Sequence, residues 1–126
     1  MTQVLDASCL LAFLQDEAGA ELVWPALSDA VVSTVNWSEV LQKSLQNRVD
    51  TEGMQQEFEE VGVVFVPFTG EQAALAARLW DATRSHGLSL ADRACLALAL
   101  DRRLPVLTAD RAWSSLRLDV RVQLIR

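Results

Sequence analysis

Short apolar runs alternate with longer stretches of helical period along the chain. Thr2–Leu5 reads as a strand and Ala7–Leu14 as a helix. Glu17–Leu27 is a second helical stretch, disturbed near Pro25 because proline removes a backbone donor. Val31–Ser33 is a short strand, followed by helices over Trp37–Asn47 and Thr51–Glu60. Val63–Val66, β-branched and aromatic, is a strand. Glu71–Ser85 is an alanine-rich helix with a stop near Gly87. Leu90–Arg102 is the most apolar helix and is expected at the centre. Val106–Thr108 is a strand, a short helical turn follows Asp110, and Val120–Leu124 is the last strand. This alternation predicts an α/β fold, a three-layer α/β/α sandwich with a mainly parallel central sheet of four to five strands. In such sheets, sites form beyond the carboxyl ends of the strands.

At 126 residues and 51% hydrophobic, the chain suits a single domain over 1–126 with one sizeable core. No stretch is long and apolar enough to cross a membrane. The N-terminus enters a strand directly, with no basic region ahead of an apolar segment. The expectation is a cytoplasmic protein without a membrane partner. Cys9 and Cys95 lie far apart inside apolar helical patterns and read as reduced core residues. With His86 the only histidine and no C-x-x-C pair, the ligands for a structural zinc site are missing.

The net charge of −6 argues against a passive nucleic-acid binder. The charge is uneven, however. Residues 1–63 carry 11 acids and 2 bases, whereas residues 64–126 carry 6 acids and 9 bases, all arginine. Solvated helix faces explain most such arginines, and a local phosphate-binding rim is the functional alternative.

Four acids recur at comparable places. Asp6 ends the first strand, Glu39 falls in the first turn of the Trp37–Asn47 helix, Asp92 opens the apolar helix, and Asp110 follows Val-Leu-Thr. Each has a structural explanation. Asp6 and Asp110 suit N-caps. Ser89-Leu90-Ala91-Asp92 and Asn36-Trp37-Ser38-Glu39 have the shape of capping boxes. Glu39 is spaced to pair with Lys43. Taken singly, each is better explained by structure than by catalysis. Yet Asp92 shares a helix face with Cys95, Leu96 and Ala99, so it points toward the core side. Capping also does not explain an acid beyond each strand of one sheet edge. Four clustered carboxylates repel one another, and a divalent cation with oxygen ligands, Mg²⁺ or Mn²⁺, removes that repulsion.

The stretches VLDASCLLAFL, VVSTVNWSEVLQK, GLSLADRACLALAL and LPVLTADRAW together resemble a PIN-domain ribonuclease, and among those a VapC-type toxin of a bacterial toxin–antitoxin pair. The resemblance covers the whole chain. Its most specific part is an acid opening an Ala/Leu-rich helix, followed by a strand ending in Thr-x-Asp. It implies a PIN-like fold and metal-dependent endonucleolytic cleavage of RNA. It puts the acidic site, catalytic and metal-holding, on Asp6, Glu39, Asp92 and Asp110. Ser8 and Thr108 match hydroxyl positions near the metal, and Asn36 matches a polar position three before the glutamate. For Ser8 and Thr108, a helix-start or strand-end hydrogen bond is an equally good reading. The implied cofactor is Mg²⁺, with Mn²⁺ as substitute, and the implied partners are RNA, a cognate antitoxin and a second copy of the chain. The antitoxin segment is expected to be helical, with a basic residue reaching the carboxylates. Arg93 and Arg111 each follow a site acid and are the candidates for RNA phosphates, with surface solvation or ion pairing as the alternative. Trp24, Trp37, Trp80 and Trp113 are able to stack on bases, although buried packing is the default for tryptophan.

Other classes fit less well. A phosphoacceptor receiver wants an acidic pair after the first strand and a lysine after the last, but Ala7 and Ser8 follow Asp6 and Lys43 is the only lysine. A haloacid-dehalogenase phosphatase wants Asp-x-Asp, and Ser8 takes the second place. No nucleophile elbow accompanies His86, and G-x-G-x-x-G is absent. Two readings stand beside the toxin: an RNA-processing PIN nuclease without an antitoxin, and a catalytically silent binding or regulatory module.

Overall fold

The computed structural model describes residues 1–126. Five strands form one fully parallel sheet: β1 (Gln3–Leu5), β2 (Ala30–Ser33), β3 (Val63–Val66), β4 (Val106–Thr108) and β5 (Val122–Leu124), in the order β3-β2-β1-β4-β5. Seven helices connect and cover them: α1 (Ala7–Leu14), α2 (Ala20–Ala26), α3 (Thr34–Gln46), α4 (Met54–Val61), α5 (Gly70–Arg78), α6 (Trp80–Thr83) and α7 (Leu90–Arg102). A short 3-10 helix, Arg111–Ser115, follows β4. No helix is long and apolar enough to cross a membrane.

The layers follow from the two-residue period of the strands. Leu5, Val32, Val63 and Leu107 face one core with Leu10, Val23, Trp37, Val40 and Phe58. Val4, Val31, Val66 and Val106 face the other, with Ala76, Trp113 and the run Cys95–Ala99. The expected three-layer sandwich is therefore present, with all five strands. Helix α7 is as central as its composition requires, since Ala94 to Ala99 are completely buried. Cys9 and Cys95 are buried and free.

Several expected boundaries move, three of them for a clear local reason. Helix α2 starts at Ala20 rather than Glu17 because Gly19 precedes it at φ 96°, where a Cβ would meet the Ile125 carbonyl oxygen at 2.6 Å. Only glycine tolerates both the angle and the approach. The alanine-rich helix is interrupted at Leu79, splitting α5 from α6. There Thr83 Oγ1 donates back to the Leu79 carbonyl at 2.8 Å, a bond that bends helices. Helix α3 starts at Thr34, three residues before the expected Trp37, because Ser33 at the end of β2 is already its N-cap and accepts from the Val35 N–H at 3.3 Å.

The chain passes from β1 outward to β2 and β3, then crosses back to place β4 on the other side of β1. The crevice beyond β1 and β4 is thus the switch point where α/β sheets build sites. Asp6 and Asp110 follow these two strands.

Candidate active site

Asp6 is the N-cap residue of α1 by position, but its side chain caps nothing. Its Oδ2 instead accepts from Ser8 Oγ at 2.7 Å and from Thr108 Oγ1 at 3.0 Å. Both hydroxyls have their orientation set by the backbone. Ser8 Oγ accepts from the Ala109 N–H at 2.9 Å, and Thr108 Oγ1 from the Asp110 N–H at 3.1 Å. With a lone pair engaged on each, their protons turn to the carboxylate. Oδ1 of Asp6 accepts no hydrogen bond.

Asp6 is 5% exposed. Burial pushes its carboxyl from 3.8 up to about 6. The hydrogen bond from Ser8 opposes this, the charge of Asp92 adds to it, the bond from Thr108 opposes it, and the charge of Glu39 adds to it. Asp6, Glu39 and Asp92, which are 33 and 53 residues apart in sequence, are therefore electrostatic neighbours.

The structure corrects the expected placement of Glu39. With α3 beginning at Thr34, Glu39 lies in its second turn, and Asn36-Trp37-Ser38-Glu39 is not a capping box. Asn36, wholly buried, sits in the first turn and bridges two helices. Its Nδ2 donates to Glu39 Oε1 at 3.2 Å and to the Ala91 carbonyl of α7 at 3.0 Å. Its Oδ1 is buried without a partner. Burial raises the Glu39 carboxyl, the Asn36 bond lowers it, Asp92 raises it and Lys43 lowers it. The Glu39–Lys43 spacing thus gives an electrostatic neighbour rather than a contact ion pair.

Asp92 does form the expected capping box. Its Oδ2 accepts from the Ser89 N–H at 2.9 Å, and Ser89 Oγ accepts from the Asp92 N–H at 3.2 Å. Capping engages one oxygen only, and the charge still acts on Asp6 and Glu39. Asp110 is exposed at the rim and caps the 3-10 helix, Oδ1 accepting from the Ala112 N–H at 3.0 Å. Its backbone, not its carboxylate, joins the Asp6 network.

The set is a hard-oxygen donor group with one bare carboxylate oxygen on Asp6 and uncompensated mutual repulsion, which fits a divalent cation. It is not closed around a point, since no three Asp, Glu, His or Cys side chains lie together in ligating range.

The two arginines part company. Arg93 turns from the acids onto α5, where Nη1 donates to the Ala76 carbonyl at 3.2 Å and Nε is buried unpartnered. Arg111 is exposed. Of the tryptophans, Trp37 and Trp113 are buried, while Trp80 is open beneath Arg84 and Trp24 is 58% exposed, stacked on Phe13 at 5.6 Å. Trp24 walls an apolar groove of about 240 Å³ between α1, α2 and α4, with Phe13, Leu27, Met54 and Phe58. Asp50, Glu52 and Glu57 rim it. The sequence reading missed this groove, and the Asn36 bridge with it.

The model of the PIN domain matches residues 4–117. This chain belongs to the PIN-domain family. No curated protein matches it by sequence. The PIN domain is similar in structure to a toxin–antitoxin complex from Klebsiella pneumoniae, at TM-score 0.76 and 16% identity, covering 99% of this chain and 98% of that one. It is also similar to DNA-bound VapBC from Salmonella typhimurium, at TM-score 0.74 and 13% identity, with 100% of both chains covered. VapBC-5 from Mycobacterium tuberculosis follows at TM-score 0.62 and 24% identity, covering 99% and 98%. At these identities the likeness is one of fold.

Proposed function

We propose that this PIN domain, acting as one unit over residues 1–126, is a divalent-metal-dependent endoribonuclease and the toxin of a type II toxin–antitoxin pair. The observation that carries the reading is Asp6: a buried carboxylate that caps nothing, with one oxygen held by two oriented hydroxyls and the other left bare beside two further negative charges. Folding opposes such an arrangement unless a cation or proton is drawn to it.

Asp6, Glu39, Asp92 and Asp110 would hold Mg²⁺ or Mn²⁺, directly or through water. When bound, such an ion acidifies a water for in-line attack on phosphorus and offsets charge on the phosphate. Ser8 and Thr108 fix the Asp6 carboxylate, and Asn36 ties Glu39 to the first turn of α7, so the acids are held in register. One of the carboxylates accepts the proton of the attacking water. The cytoplasm is the compartment such an enzyme would work in.

The similar structures include toxin–antitoxin complexes, which supports an antitoxin partner here. The acid-rimmed apolar groove at Trp24 suits a helix with an apolar face and basic flanks. Trp24→Glu is expected to abolish the antitoxin complex in co-purification while partner-free RNA cleavage persists; an intact complex would remove the groove from the account.

The test of the activity is incubation of total RNA with partner-free protein in Mg²⁺, Mn²⁺ or EDTA, beside folded Asp92→Asn. Discrete, metal-dependent fragments that disappear in the variant are expected. Intact RNA in every metal would reject the nuclease reading.

A further inference from the structure

Between the C-terminal ends of α1 and α3 lies a polar cleft of about 390 Å³, within the size range of small-ligand pockets. It adjoins the acids. Ser8, whose Oγ donates to Asp6, also lines the cleft. Lys43, one helical turn beyond Glu39, lines it too.

The walls differ from the acidic half of the chain that supplies most of them. Lys43 is the only lysine in the protein, is exposed, and makes no salt bridge. Three amides, Gln15, Gln46 and Asn47, face the same space. The one carboxylate, Glu17, is paired with Arg126 at 3.3 Å. So a positive charge without a contact ion pair and a set of amide donors and acceptors sit directly beside a cluster of negative charge.

The helix ends narrow the choice of occupant. Gln15 and Asn47 are the C-cap residues of α1 and α3. Helix C-termini carry partial negative charge, so the cleft interior is a poor seat for phosphate. Amides and helix-end carbonyls match instead the donor and acceptor edges of a nucleobase and a ribose 2′-hydroxyl. The ammonium group suits the phosphate next to it.

We propose that this cleft seats the nucleotide adjoining the scissile phosphate of single-stranded RNA. Lys43 meets the neighbouring phosphate, and Gln15, Gln46 and Asn47 read the base. The assignment rests on the nuclease reading above. It explains how a chain of net charge −6 engages a polyanion: a cation free of any contact ion pair lines the cleft beside the acids.

The test uses the full chain carrying Asp6→Asn, so that RNA binds without being cut. Short fluorescein-labelled oligoadenylate, oligouridylate and oligocytidylate are titrated by anisotropy at several salt concentrations. Adding Lys43→Gln is expected to weaken all three about tenfold and to lower the salt slope by about one. Lys43→Arg should restore both. Gln46→Ala and Asn47→Ala should change the order of preference among the three RNAs. Arg102→Gln, an exposed base at the far end of α7, should change nothing. Equal binding by the Lys43→Gln protein, an equal loss from Arg102→Gln, or no binding of any oligonucleotide would overturn the subsite. Total RNA cleavage by the parent chain separates the two claims. Cleavage with Lys43-independent binding sinks the subsite alone, and Lys43-dependent binding without cleavage in any metal sinks the nuclease, and with it the scissile phosphate, while leaving the cleft an RNA-binding site.

Discussion

Asp6→Asn is expected to lower RNA cleavage by roughly 10³-fold or more and, in metal-free buffer, to make the protein more stable. The two effects have one origin. In the parent chain, burial holds the Asp6 carboxyl at about 6 against an ordinary 3.8. The folded state therefore binds the Asp6 proton more tightly than the unfolded state does. Above pH 6 the folded chain carries a disfavoured charge worth up to about 3 kcal/mol. As pH falls through 6 toward 4 the proton goes on and that penalty is lost. Asparagine is neutral throughout, and its Oδ1 still accepts from Ser8 and Thr108. The variant is thus expected to melt higher than the parent above pH 6, with the gap closing as pH falls toward 4. Thermal melts across that window check it. Equal melting temperatures at pH 7 without metal would mean that the carboxylate is not held as described.

Asn36→Ala is expected to lower cleavage by about 10- to 100-fold, the range seen when a residue that orients metal ligands is lost. It removes the donor to Glu39 Oε1 within α3 and to the Ala91 carbonyl, the bond that ties α3 to the first turn of α7. Stability should fall by about 0.5–1.5 kcal/mol, since the hydrogen bond between the two helices is lost. Packing alone gives no reason for an asparagine at this place, because its Oδ1 is buried without a partner. Its use lies in the Nδ2. The distinguishing readout is the pH profile. The Asn36 bond lowers the Glu39 carboxyl, so its loss should move the acidic limb of the rate profile upward in pH. A loss of stability with an unmoved profile would leave Asn36 a packing residue only.

These two residues also mark what is legible in the chain and what is not. Apolar runs of strand length located every strand, and α1, β3, α7 and β4 have the bounds read from their patterns. The acids beyond β1 and β4 were visible as acids at strand ends. Whether they cap was not. Asp92 and Asp110 do cap, and Asp6 does not, because its oxygen is claimed by hydroxyls one of which lies 102 residues away. The Asn36 bridge ends on a backbone carbonyl, which no side-chain pattern encodes. Local periodicity likewise put α3 too late, since Ser33 at a strand end looks like strand until its hydroxyl is seen to cap. Arg93 follows Asp92 directly, yet one step around a helix turns it by about 100° onto α5. The groove at Trp24 brings together three helices whose contact depends on the sheet order.

The central claim is that these acids hold a divalent cation. It is tested most directly by calorimetric titration of Mn²⁺ into the partner-free protein and its Asp6→Asn variant, with no RNA present. The account predicts saturable binding by the parent chain and its loss in the variant, with Mg²⁺ competing. Equal binding by both, or none by the parent chain, would contradict it.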